Sequence, residues 1–184
     1  MSDYFNNIKE IKFEGSESDN PLSFKYYNEN QIVLGKSMKE QLRFATCYWH
    51  TFTWPGLDPF GGQTLQRPWM DSGDPLKMAE VKLNAAFDFF TKIKTPYFCF
   101  HDRDIAPEGD NYLTTKKNLE YIIKIMEQKM KETGIQLLWG TANSFSHKRY
   151  MSGASTNPNP EVFAYIAAQV KDCMDATHYL GGQN

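Results

Sequence analysis

Cysteine is scarce in this chain: the three present, Cys47, Cys99 and Cys173, lie far apart with no CxxC pair among them. That argues against a disulfide framework, a zinc ribbon and a dithiol redox motif. Cys47 and Cys99 fall in apolar runs, where a reduced thiol is expected to pack as a small hydrophobe. Neither sign of charge dominates. The net charge of −2 offers no electrostatic case for nucleic acid or for an anionic membrane surface. No segment stays apolar for the roughly 18 residues that a membrane span needs. Met1-Ser2-Asp3-Tyr4 carries no basic region leading into an apolar run, so a reducing cytoplasm is the default compartment. Gly61-Gly62 follows no strand and opens no helix, which leaves the chain without a phosphate-cradling loop. A Ser or Cys nucleophile elbow is missing as well. Acidic residues are scattered, and His101, Asp102 and Asp104 alone are too few to ligate a metal.

What is present suits a globular domain of 184 residues, 41% hydrophobic and 23% charged. Aromatics are plentiful at 15%, with 13 Phe, 10 Tyr and 4 Trp. Such an excess serves a large core or the wall of a flat-ligand pocket. Residues 1–44 are polar and mixed, interrupted by the loop Gly15-Ser16-Glu17-Ser18-Asp19-Asn20-Pro21, with one short helix expected around Met38 to Phe44. A first strand is expected over Ala45 to Thr51. The long loop after it carries Trp54, Phe60 and Trp69, which favours a functional loop over disorder.

Asp74-Pro75 supplies an N-cap and a first-turn proline. Ala79, Leu83, Ala86, Phe87 and Phe90 then recur at helical spacing. Tyr97 to Phe100 reads as a buried strand. A second helix spans Leu113 to Glu132, with Leu119, Ile122, Ile123, Met126 and Met130 on one face and Gly134 placed to stop it. Ile135 to Gly140 forms the third strand. Asn159-Pro160 starts a third helix, expected to turn Val162, Phe163, Ile166, Val170 and Met174 inward.

Strand, loop and helix thus alternate three times, which implies parallel pairing with helices over the sheet. The fold class is α/β: the first three βα units of a (β/α)8 TIM barrel over 45–184, preceded by an N-terminal arm over 1–44. Three units leave Phe98, Leu137 and the strand edges without barrel partners, so apolar surface is expected to be exposed there.

Function in such an architecture gathers in the loops after the strands. Those positions hold Trp49 and His50, His101 to Asp104, and Trp139 to Phe145. Asp104 can hold one imidazole tautomer of His101 and leave the other ring nitrogen for proton exchange. The same His-x-x-Asp spacing also fits a structural turn. Asp102 can cap the loop and Arg103 can pair with a carboxylate. Trp49 and Trp139 suit either a core or an apolar wall for the C–H face of a sugar. Phe60 alone reads as a satellite-core residue, and His50 as a core hydrogen-bonding residue. His147 and His178 read as loop and helix-surface residues.

Several segments occur in order that together carry a resemblance: Phe13-Glu14-Gly15, Asn20-Pro21-Leu22, Leu42-Arg43-Phe44, Trp49-His50-Thr51-Phe52, Phe100-His101-Asp102-x-Asp104, Leu138-Trp139-Gly140-Thr141-Ala142-Asn143 and Gly153-Ala154-Ser155-Thr156-Asn157-Pro158. From about Tyr4 to Asn184 the chain resembles the amino-terminal part of the xylose isomerase family, in its longer class. The resemblance implies interconversion of D-xylose with D-xylulose and, less well, of D-glucose with D-fructose. It implies two divalent cations, Mg²⁺ or alternatively Mn²⁺ or Co²⁺, whose ligands lie outside this chain. His101 is implied as the ring-opening residue and Asp104 as its orienting partner. Trp49, Trp139 and Phe145 are implied to line the pocket, with Thr141 near the distal end of the sugar. Phe60 matches an aromatic that enters a neighbouring subunit's site, implying a homo-oligomer, dimer or tetramer. Without the metal ligands, the 184 residues alone are expected to be inactive. The other readings are a non-catalytic sugar-binding segment and another barrel sugar isomerase or epimerase.

Overall fold

The structure is a computed structural model that describes residues 4–70 and 73–183. Met1 to Asp3, read above for want of a leader, lie outside the described residues, as do Asp71, Ser72 and Asn184. In the arm, β1 (Ile32–Val33) and β2 (Lys36–Ser37) form a two-stranded antiparallel ribbon. Ser37 then caps α1 (Met38–Gln41), its hydroxyl accepting from the Glu40 N–H while the Glu40 carboxylate accepts from the Ser37 N–H. The helix is shorter than its apolar tail suggests, because Leu42 is already extended.

β3 (Ala45–Cys47), β4 (Tyr97–His101) and β5 (Gln136–Thr141) make one parallel sheet in the order β3-β4-β5. α2 (Pro75–Ile93) and α4 (Tyr112–Thr133) connect these strands and pack against each other. α5 (Pro160–Tyr179) follows and lies on β5. A single-turn helix, α3 (Asp102–Ile105), continues directly from β4. This mixed α/β architecture with a parallel three-stranded sheet is compatible with consecutive βα units.

The ends of the helices follow their sequence signals. The Asp74 side chain accepts from the Leu76 N–H, and Asn111 and Asn159 cap α4 and α5 in the same manner. Gly134 ends α4 at φ 74°, a left-handed turn that a Cβ would strain. The core fills the space between the sheet and α2 and α4. There Phe90, Phe98 and Phe100 stack successively, with Phe90 and Phe98 5.5 Å apart at 16°, and Phe87 meets Phe90 and Phe98 edge-to-face. Phe98 and Leu137 are fully buried, so the expectation that they lack partners is corrected. Both face the helix layer, which closes over them without further strands.

Two more expectations are corrected. The first strand ends at Cys47 rather than Thr51, because Trp49–Thr53 winds a π-helical turn closed by the Trp54 N–H on the Trp49 carbonyl at 2.7 Å. On α5 the buried stripe is Ile166, Gln169, Cys173 and Ala176, while Phe163, Val170 and Met174 stand 52%, 41% and 66% exposed. A buried polar side chain, Gln169, sets this face. Its amide is fully engaged beneath the β5 loop, which outweighs the more apolar alternative stripe. Among the described residues no helix is long and apolar enough to cross a membrane.

Candidate active site

The register of the sheet decides which side chains meet at its C-terminal edge. Along β4, Phe98 and Phe100 face the helices, so Cys99 and His101 face the opposite side. On β5 strict alternation from buried Leu137 would turn Trp139 and Thr141 toward the helices. A register shift between Phe98 and Cys99 prevents this: Phe98 pairs with Leu137, but Cys99 pairs with Trp139, leaving Leu138 over. This bulge places Trp139 beside Cys99 and Thr141 beside His101. The helix-facing position becomes Gly140, where a Cβ would stand only 2.7 Å from the Phe100 ring and 2.6 Å from the Thr177 hydroxyl.

His101 sits at the centre of the resulting cup. Its ring lies 4.6 Å from Trp49, 5.4 Å from Phe145 and 6.3 Å from Trp139, in each case edge-to-face. The Trp49 and Trp139 rings are themselves 5.6 Å apart. The π-helical turn after β3 carries Trp49 to this position, and an Asx turn carries Phe145, since the Phe145 and Ser146 N–H groups donate to Asn143 Oδ1. Trp49 and Trp139 are half-buried here, and neither belongs to the main core.

Asp104 stands under the imidazole. Its Oδ2 receives the His101 backbone N–H at 3.2 Å and contacts His101 Nδ1 at 3.0 Å. Burial pushes the Asp104 carboxyl above its ordinary range, while His101 and then Lys82 pull it back. As a carboxylate, Asp104 keeps the proton on Nδ1 and leaves Nε2 for exchange.

Asp102 has a different task. Wholly buried, it accepts the Asn143 N–H and the Arg103 N–H at Oδ1, both at 2.8 Å. Its Oδ2 accepts from Gln169 Nε2 at 2.8 Å and pairs with the Arg103 guanidinium at 3.3 Å. Gln169 also donates to the Asn143 carbonyl and accepts from the Tyr150 hydroxyl at 2.5 Å. This network clamps the loop that bears Phe145 onto α5. The capping and pairing readings of Asp102 and Arg103 describe what is found.

Phe60 is not brought to the cup. It is 99% exposed on a turn in which Asp58 Oδ1 accepts the Phe60 N–H at 2.6 Å, so the satellite-core reading fails. His50 is likewise exposed and contributes its backbone carbonyl, to Arg67, rather than a buried imidazole. It follows Trp49 on the π-helical turn and points away from the core that Phe52 enters. His147 caps a short turn by accepting the Arg149 N–H, and His178 is exposed.

Four residues around the site were not singled out from sequence: Tyr48, Thr53, Lys82 and Gln169. Lys82 and Gln169 had a readable signal, since each interrupts an otherwise apolar helical stripe. Among the described residues no group of three His, Cys, Asp or Glu could hold a metal ion. A cavity of about 420 Å³ lies at the opposite ends of the strands, between the arm and residues such as Phe44, Thr46 and Pro96.

A histidine held by a carboxylate within an aromatic cup, at the C-terminal edge of parallel strands, is a candidate small-molecule site on an α/β fold. Comparison with known proteins shows what the chain is similar to. The chain is 56% identical over 181 residues to a protein named xylose isomerase from Ruegeria sp., covering 98% of this chain and 41% of the relative. It is 55% identical over 184 residues to one from Photobacterium profundum and 54% over 184 to one from Roseobacter denitrificans, in both cases covering all of this chain and 42% of the relative. No family model matches. The chain is therefore homologous to xylose isomerases over essentially its whole length, and it spans about two fifths of theirs, consistent with their amino-terminal part.

Proposed function

We propose that this chain supplies the ring-opening half of an aldose–ketose isomerase that converts D-xylose to D-xylulose and, less well, D-glucose to D-fructose. In this reading 45–184 form the first three βα units of a (β/α)8 barrel and 1–44 an arm. The observation that carries it is the His101–Asp104 pair inside the Trp49–Trp139–Phe145 cup, in a chain with this degree of identity to proteins of that name.

When a cyclic sugar opens, the anomeric hydroxyl loses a proton, the bond from the anomeric carbon to the ring oxygen breaks, and that oxygen gains a proton. His101 Nε2 carries this proton, with Asp104 stabilising the imidazolium that forms in between. The tryptophans and Phe145 stack on the C–H faces of the sugar and exclude water, and Thr141 meets its distal hydroxyls. Divalent cations, Mg²⁺ or alternatively Mn²⁺ or Co²⁺, supply charge stabilisation in this class of reaction. The residues described here do not fit such ions, so the ligands belong outside this chain and no step is assigned through them. The 184 residues alone accordingly bind sugar without turning it over, in the cytoplasm.

The test compares this chain with a polypeptide that continues through the length of its relatives. D-Xylulose is expected only from the longer protein with a divalent cation; no ketose from either would overturn the reading.

Phe60 completes the proposal by entering the site of a neighbouring subunit in a dimer or tetramer. Because the ring is 99% exposed in the single chain, Phe60→Ala is expected to leave the melting temperature of the 184-residue chain unchanged, as for other surface substitutions. The KM for D-xylose should rise about tenfold, a loss of about 1.4 kcal/mol of binding. An unchanged KM in the assembled protein would remove Phe60 from the site.

A further inference from the structure

Lys82 lies on the inward stripe of α2, between Ala79 and Ala86, and the chemistry above makes no use of it. Its ammonium donates to the Thr53 hydroxyl at 3.3 Å and lies 5.9 Å from the centre of the Tyr48 ring. The Thr53 hydroxyl in turn donates to the Asp104 carbonyl at 3.3 Å. Tyr48 is fully buried, and its hydroxyl has no hydrogen-bond partner among the described residues. Lys82, Thr53, Tyr48 and Asp104 therefore form one packed layer behind His101, and Lys82 lines a cavity of about 130 Å³ on its outer side.

The layer is electrostatically unusual. Among the described residues no carboxylate lies within ion-pair distance of Lys82, and its one hydrogen-bond acceptor is neutral. An ammonium held this way pays a desolvation penalty that a direct ion pair does not return. Burial pulls Lys82 down to about 8, and the charge opposing that pull is Asp104. Asp104 in turn faces His101 from its own strand end, Lys82 from α2 and the Tyr48 hydroxyl from the end of β3. Of these, only His101 and Lys82 favour its carboxylate form. Arg103, although adjacent in sequence, spends its charge on Asp102.

We propose that Lys82 is a positioning residue for the His101–Asp104 pair: its half-buried charge holds Asp104 as a carboxylate, so that Asp104 fixes the imidazole with Nδ1 protonated and Nε2 free. Its consequence for turnover rests on the isomerase reading; the ionisation of Asp104 does not. A methionine would fill the same volume without the desolvation cost, so a lysine here trades stability for charge.

The experiment follows the Asp104 carboxyl by NMR in the intact protein labelled at aspartate, assigned by its loss in Asp104→Asn. In Lys82→Met the titration midpoint of Asp104 is expected to move up by about one pH unit, and in Lys82→Arg to stay where it is. The acid limb of kcat/KM for D-xylose should move by the same amount, with the plateau at higher pH kept. A merely structural role would lower the plateau and leave the limb in place. If Lys82→Met does not fold, Lys82→Gln makes the same comparison. Superposable Asp104 titrations in the wild type and the neutral variants would overturn the proposal. Absence of any sugar turnover in the wild type would sink the isomerase reading alone, since the carboxyl titration still decides the role of Lys82.

Discussion

Replacing His101 by glutamine is expected to slow turnover of D-xylose about 10²- to 10⁴-fold, the range ordinarily supplied by a positioned acid–base group. Glutamine approximates the volume of the imidazole and keeps the Trp49, Trp139 and Phe145 walls in place, yet it has no nitrogen that can take up and return a proton. The neighbouring carboxylate separates orientation from charge. In Asp104→Asn an amide oxygen can still face the two N–H groups that now share Oδ2, so the ring stays oriented while the charge is lost. Asp104→Ala loses both and should fall further, by about 10²-fold against about tenfold for Asp104→Asn. Steady-state kcat/KM for ketose formation measures each step. Equal losses in the two Asp104 variants would mean that charge alone matters.

Asp102→Ala is expected to act on the fold rather than on the chemistry, at a cost of about 3–5 kcal/mol, as when one partner of a buried ion pair is removed. The substitution removes the carboxylate that the Arg103 guanidinium and the Asn143 N–H now meet, and one of the two acceptors of the Gln169 amide. Asp102→Asn keeps an acceptor for some of them and should cost less, about 1–3 kcal/mol. Denaturant unfolding gives both values. An Asp102→Ala protein as stable as the wild type would show that the clamp between the β5 loop and α5 contributes nothing. The same clamp fixes Asn143 and, through it, Phe145, so partial destabilisation should also loosen one wall of the cup.

The main elements of the sheet and its helices could be read from the chain because their signals are local. Asp74-Pro75, Asn159-Pro160 and Gly134 mark helix ends by backbone chemistry that tertiary contacts do not alter. The apolar stripe of α2 and the run Tyr97 to Phe100 were equally plain. Where the reading missed, a long-range contact had decided the outcome. Gln169 is buried because Asp102, Asn143 and Tyr150 satisfy it, and no periodicity within α5 announces those partners. That one polar residue rotates the buried face and leaves Phe163, Val170 and Met174 outside. The bulge at Leu138 is similar: the segment Leu137-Leu138-Trp139 looks like an ordinary strand, and only its pairing with β4 shows that Trp139 and Thr141 share a side with His101. Lys82 reads as a breach in an apolar stripe, but its purpose depends on Asp104, far away in sequence. The π-helical turn at Trp49 has no propensity signal at all, since aromatic and β-branched residues there favour the strand that was expected.

The measurement that bears most directly on ring opening compares two substrates in His101→Gln and wild type, in the polypeptide that carries the full length of the family. D-Xylose must open before it reacts, whereas D-glyceraldehyde, an aldose with three carbons, cannot close a ring. The account predicts that His101→Gln loses about 10²-fold or more in kcat/KM on D-xylose while keeping the wild-type rate on D-glyceraldehyde. Equal losses on both substrates would contradict it, placing His101 in a step after ring opening or in the support of the site as a whole.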